Sequence, residues 1–147
     1  MRFNIIEKSD PEYPLYGIPI DDLQYKRLAP RGDYVKMSNE YLNWFTYMET
    51  QLPNRRPDKF NKWYRKELIL YQVYDHMLES RKMFYPLIAK EHRRHLYIIR
   101  GNQRLCSLRA LGFTGEVPCY LAKSTDSWND NTKAFVRHPY GDIQIPT

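Results

Sequence analysis

Four consecutive residues, Gly101-Asn102-Gln103-Arg104, have the types and spacing from which an anion site is built. Glycine lets the backbone turn sharply and approach a ligand closely. A helix that starts at such a turn has unsatisfied backbone N–H groups, and the positive end of its dipole points the same way. Asn102 and Gln103 add side-chain amides, and Arg104 adds a forked cation matched to phosphate oxygens. The chemistry expected here is phosphate binding.

The elements that must position this turn are readable around it. Tyr97-Ile98-Ile99 is an apolar strand leading into Gly101, and a short helix is expected over residues 103–111. Leu105, Leu108 and Leu111 are its inward candidates, and Gly112 suits a left-handed cap at its end. Residues 85–89 and 117–121 are two further short apolar strands, the first joined to residues 96–99 through a charged turn, Lys90 to His95. The final third therefore runs strand, strand, helix, strand.

Upstream, Pro11, Pro14, Gly17 and Pro19 make residues 9–19 extended and loop-like. Residues 18–23 suit a short edge strand, and Pro30-Arg31-Gly32-Asp33 a turn. A first helix is expected after Ser38 or Asn39, both good caps, with Tyr41, Leu42, Phe45, Met48 and Leu52 on one face and Pro53 ending it. Asp58 is the expected cap of a second helix reaching about Glu79. Its apolar stripe holds Phe60, Trp63, Tyr64, Leu70, Tyr71, Tyr74, Met77 and Leu78. Beyond Trp128 the pattern fades, and residues 129–147 read as a peripheral tail. The expected fold is a single α/β (α+β) domain over residues 1–147, with a small mixed sheet and a helical N-terminal half.

The chain has 147 residues, enough for a core without staples. Its aromatic share of 15%, with 13 Tyr and 3 Trp, suits either a tyrosine-rich core or stacking surfaces. A net charge of +6 and a pI near 9.3 favour a polyanionic partner. Arg55, Arg56, Lys59, Lys62, Arg65 and Lys66 crowd one segment and Arg93, Arg94 and Arg100 another, of which Arg93 and Arg94 form the second candidate grip. Both are expected to contact DNA phosphates, with Trp63 or Tyr64 stacking on an exposed base.

Two cysteines, Cys106 and Cys119, support neither a disulfide framework nor a zinc site and read as buried thiols. His92 and His95 flank two arginines with no third ligand near in sequence, so no metal centre is expected. Asp21 and Asp22, and Glu67 and Asp75, are the carboxylate pairs weighed for metal or acid–base work, each against a surface role. The chain shows no signal-peptide pattern or membrane-length apolar run, and a cytoplasmic protein is expected.

Phe84-Tyr85-Pro86-Leu87-Ile88-Ala89, then Tyr97 to Leu105 with its Gly101-Asn102-Gln103-Arg104 turn, then Ala110-Leu111-Gly112 and Val117-Pro118-Cys119, resemble the ParB N-terminal/sulfiredoxin superfamily in order and spacing. Weaker agreement extends to Ile18–Leu23 and Pro30-Arg31. The resemblance implies a compact α/β fold whose turn holds nucleotide phosphates. By position, Gly101, Asn102, Gln103 and Arg104 would form the phosphate loop and Pro86 and Leu87 the adjoining wall. The implied cofactor is a nucleoside triphosphate, CTP or ATP, with Mg²⁺.

The chain departs from the pattern in places. Asn102 stands where sulfiredoxin has its reactive cysteine and ParB usually glutamate, Tyr85 stands where ParB has glutamine, and a downstream Glu-Asn-x-Gln-Arg motif is missing. The resulting expectation is a nucleotide-binding, ParB-like protein acting on or with DNA, encoded by a phage or mobile element, with homodimer formation open. The alternatives are a small Mg²⁺-dependent kinase, nucleotide hydrolase or nuclease of the same fold, and an inactive protein-binding adaptor. No residue is assigned as catalytic.

Overall fold

The computed structural model describes residues 4–5, 14–25, 27–28, 34–35, 38–83 and 85–122. The chain forms a mixed α and β fold, as the sequence predicts. Its strands are β1 (Asn4–Ile5), β2 (Leu15–Pro19), β3 (Leu23–Gln24), β4 (Arg27–Leu28), β5 (Tyr34–Val35), β6 (Leu87–His92), β7 (His95–Arg100) and β8 (Glu116–Ala122). Its helices are α1 (Asn39–Gln51), α2 (Tyr64–Ser80) and α3 (Asn102–Ala110). The expected turn at Pro30-Arg31-Gly32-Asp33 and the tail 129–147 lie outside the described residues.

Among the described residues the main sheet has six strands in the order β1-β2-β8-β6-β7-β3, and β4 and β5 pair separately. It is mixed, because β8 runs parallel to β6 and β3 parallel to β7, while the other neighbours are antiparallel. Alternation along the strands sends Leu87, Ala89, Leu96, Ile98, Val117 and Cys119 into one core with all three helices. From the helices come Phe45 and Met48 of α1, Leu70, Tyr71, Tyr74 and Met77 of α2, and Leu105, Cys106 and Leu108 of α3. α3 packs against both α1 and α2.

The strand–strand–helix–strand order of the final third stands as expected, with strands longer than the apolar runs alone suggest. β6 and β7 extend through charged residues, so the connecting turn shrinks to Arg93 and Arg94. Both are left-handed, at φ of 49° and 66°, the conformation a two-residue hairpin turn requires. Ser38 caps α1 by accepting from the Tyr41 N–H at 3.2 Å. Gly112 is left-handed beyond α3, and its N–H donates to the Arg109 carbonyl.

Three expectations are corrected. Residues 15–19 form a strand, not a loop, because Gly17 and Pro19 fit a strand paired with β8. A side chain at Gly17 would place its Cβ 2.5 Å from the Glu116 carboxylate. The expected edge strand at 18–23 is instead two strands separated by a 3₁₀ turn at Ile20–Asp22. β2 lies inside the sheet, and β3 lies on the far edge.

The second helix starts at Tyr64 and not after Asp58. Asp58 Oδ1 accepts from the Phe60 N–H and Asn61 Oδ1 from the Trp63 N–H, both at 2.9 Å. These local bonds offer the backbone an alternative to the helix, which is why Asp and Asn favour turns. Phe60 is consequently 86% exposed and not part of the stripe. Among the described residues no helix is long and apolar enough to cross a membrane.

Candidate functional site

The turn between β7 and α3 is built by two local irregularities. The β6–β7 pairing jumps from Ala89↔Ile98 to Ile88↔Arg100, leaving Ile99 as an extra residue. A bulge of this kind bends the strand and re-aims the residues beyond it. Gly101 then adopts φ 106° and caps α3 without a side-chain hydrogen bond. A Cβ there would lie 2.5 Å from Leu87 Cδ2 and 2.8 Å from Arg104 Nη2, so both conformation and space require glycine.

Beside this turn opens a cleft of about 440 Å³. One wall is Arg100, Gly101, Gln103 and Arg104. The other comes from Val73, His76 and Met77 of α2, then Lys82, Met83 and Tyr85 in the segment that follows. The left-handed cap of α2 at Arg81, φ 58°, reverses the chain so that this segment lies along the cleft.

Arg104 fastens the two walls together. Its Nη1 donates to the carbonyls of Tyr85 at 2.5 Å and Pro86 at 2.9 Å. Burial and the neighbouring charge of Arg100 pull the Arg104 guanidinium down to about 10, so it remains protonated at neutral pH. The two like charges repel.

The six residues expected from the turn and its wall are divided by the fold. Gly101, Gln103 and Arg104 line the cleft, and Pro86 contributes its carbonyl to Arg104. Leu87 is fully buried behind Gly101. Asn102 is buried too: its Nδ2 donates to the Ile98 carbonyl at 3.4 Å, and its Oδ1 has no partner. It is absent from the cleft lining. The opposite wall was missed, although Val73, His76 and Met77 stand at helical i, i+3, i+4 spacing and mark one face of α2.

The basic run is divided more sharply. Arg55 is ion-paired with Glu67, whose side chain is fully buried, and Arg56 with Asp75 at 2.8 Å. These pairs tie the loop after α1 to α2, and they engage both carboxylates weighed as catalytic acids. Lys62 pairs with Glu40 while lying over the Trp63 ring, and Lys66 lies 4.2 Å from the Tyr41 ring centroid. Lys59, Lys62, Arg65 and Lys66 line a shallow groove with Trp63 and Tyr64.

Arg93 and Arg94 are exposed at the hairpin tip. His95 beside them meets Gln24 Nε2 at 3.1 Å. Asp21 and Asp22 are exposed on the 3₁₀ turn. Among the described residues no group of three or more His, Cys, Asp or Glu is arranged to hold a metal ion.

Both cysteines are buried free thiols. Burial pushes Cys106 up to about 12 and raises Cys119 further, an environment opposite to that of a reactive thiolate.

No protein-family model matches the chain, and no curated protein or solved structure shows significant similarity to it.

Proposed function

We propose that the protein binds a nucleoside triphosphate, CTP or ATP with Mg²⁺, at the Gly101–Arg104 turn and acts with DNA in the manner of ParB-like proteins. One observation carries the reading: a cleft large enough for a small ligand is lined by Arg100 and Arg104 at the start of α3 and by Lys82 on the opposite wall. Backbone N–H groups at a helix start, a left-handed glycine and converging cations are what phosphate oxygens require. The motif order across residues 84–119 is the second support, and it suggests the triphosphate in preference to a simple anion.

Arg104 is a poor single test, because its bonds to Tyr85 and Pro86 also hold the cleft together. Gln103 is better placed, since it lines the cleft one residue earlier. A carboxylate at Gln103 favours the helix start but repels phosphate. Gln103→Glu should therefore weaken CTP or ATP binding about tenfold or more in calorimetry, with the melting temperature unchanged or slightly higher. Equal affinity in the variant would remove phosphate from this turn. Adding duplex DNA to the same titrations separates a nucleotide-responsive DNA protein, whose nucleotide affinity changes, from a metal-dependent phosphotransferase that turns over without it.

A further inference from the structure

We propose that the turn between α1 and α2 is a platform for single-stranded nucleic acid, with Phe60 as the ring on which an unpaired base stacks. This deepens the nucleic-acid half of the function proposed above and rests on it, but it uses none of the cleft residues. The first observation is Phe60 itself, a large apolar residue that is 86% exposed. The second is that the turn presenting it is stiff. The Asp58 and Asn61 side chains each cap an N–H of this turn, and the Asn61 N–H donates to the Asp58 carbonyl at 2.9 Å.

The third observation is charge. The adjoining groove sets Lys59, Lys62, Arg65 and Lys66 against one carboxylate, Glu40. Under it, Trp63 is stacked on Trp44 at 5.3 Å and on Tyr41 at 5.9 Å, so the groove has a rigid aromatic floor.

Lys59 Nζ lies 5.3 Å from the Phe60 ring centroid, so one face of the ring meets a cation and the other is left for a base. Cations that follow a phosphate backbone, interleaved with exposed aromatic rings, are the combination that holds unpaired strands. A duplex would offer the cations its phosphates but would keep its base faces stacked inside, leaving Phe60 against hydrated backbone. A hydrogen-bonded turn loses less backbone freedom when its ring stacks, which lowers the ordering cost of the contact.

The test is fluorescence anisotropy of a labelled oligothymidylate of about 12 nucleotides, with a blunt duplex and poly-glutamate as competitors. The single strand is expected to bind about tenfold tighter than the duplex, and Phe60→Ala to weaken it about tenfold while the duplex is little affected. Lys59→Ala should flatten the salt dependence of single-strand binding. Because Phe60 and Lys59 are exposed, both variants should keep the native circular dichroism.

Equal binding of strand and duplex would overturn the platform, as would an unchanged Phe60→Ala affinity. Displacement by poly-glutamate as effective as by unlabelled oligothymidylate would replace it with an acidic protein partner. Nucleotide affinity measured on the same Phe60→Ala sample keeps the two proposals apart. If it persists while single-strand binding is absent, only the platform fails.

Discussion

Two pairs of arginines do opposite things in this molecule. Arg55 and Arg56, adjacent in a loop, each find a carboxylate on α2, and their charge is absorbed inside the chain. Arg100 and Arg104 flank a glycine turn, where Arg104 donates to main-chain carbonyls and its charge is disfavoured by burial and by Arg100. The first pair therefore fastens a loop, whereas the second lines a cleft, with Arg104 holding one wall to the other. Local density of positive residues does not separate these roles, and the partner that each side chain meets does.

The largest effect is expected from breaking the buried half of the loop pair. Glu67→Ala leaves Arg55 partly buried without its carboxylate, which should cost roughly 3 kcal/mol and lower the melting temperature by about 10 °C. A thermal shift no larger than that of an exposed α2 substitution would show that the pair does not fasten the loop. Next comes Gly101→Ala. The left-handed φ and the contact with Leu87 should destabilise the fold by about 1–3 kcal/mol and close the approach to the cleft, seen together in melting and nucleotide titration.

Gln103→Glu sharpens the contrast from the other side, because its effect should fall on nucleotide affinity alone. Smallest is Asp75→Asn. The Arg56–Asp75 pair is open to water and screened, so neither the melting temperature nor nucleotide affinity should change. A change in nucleotide affinity there would mean that the loop and the cleft communicate.

Much of the fold is legible because it rests on periodicity and caps. Leu105 and Leu108 point inward, Ser38 caps α1 and Gly112 ends α3 at the places their types suggest. Errors fall where local and tertiary forces compete. Phe60 fits the helical stripe in sequence, yet Asp58 and Asn61 bond their own backbone and hold it out of the helix. Glu67 suits a surface role by its type, yet it pairs with Arg55 and is buried on α2 along with Leu70, Tyr71 and Tyr74.

Of the candidate site, the Gly101–Arg104 turn is visible in sequence because glycine and arginine announce a tight turn and a charge. The α2 wall is not, because it depends on contact between segments far apart in the chain, and the bulge at Ile99 is not, because it depends on the register of β6 against β7.

The position of β2 also bears on how the chain reaches this structure. β2 lies between β1 and β8, and its Leu15 is matched with Tyr120, about a hundred residues later. The main sheet thus joins one of the earliest described segments to the last. Closing a loop of that length is slow, and its entropy must be met before the pairing contributes. During synthesis β2 has no neighbour on its β8 side until that strand leaves the ribosome, whereas the β6–β7 hairpin can close by itself. Folding is therefore expected to start in the C-terminal half and to recruit the N-terminal strand last.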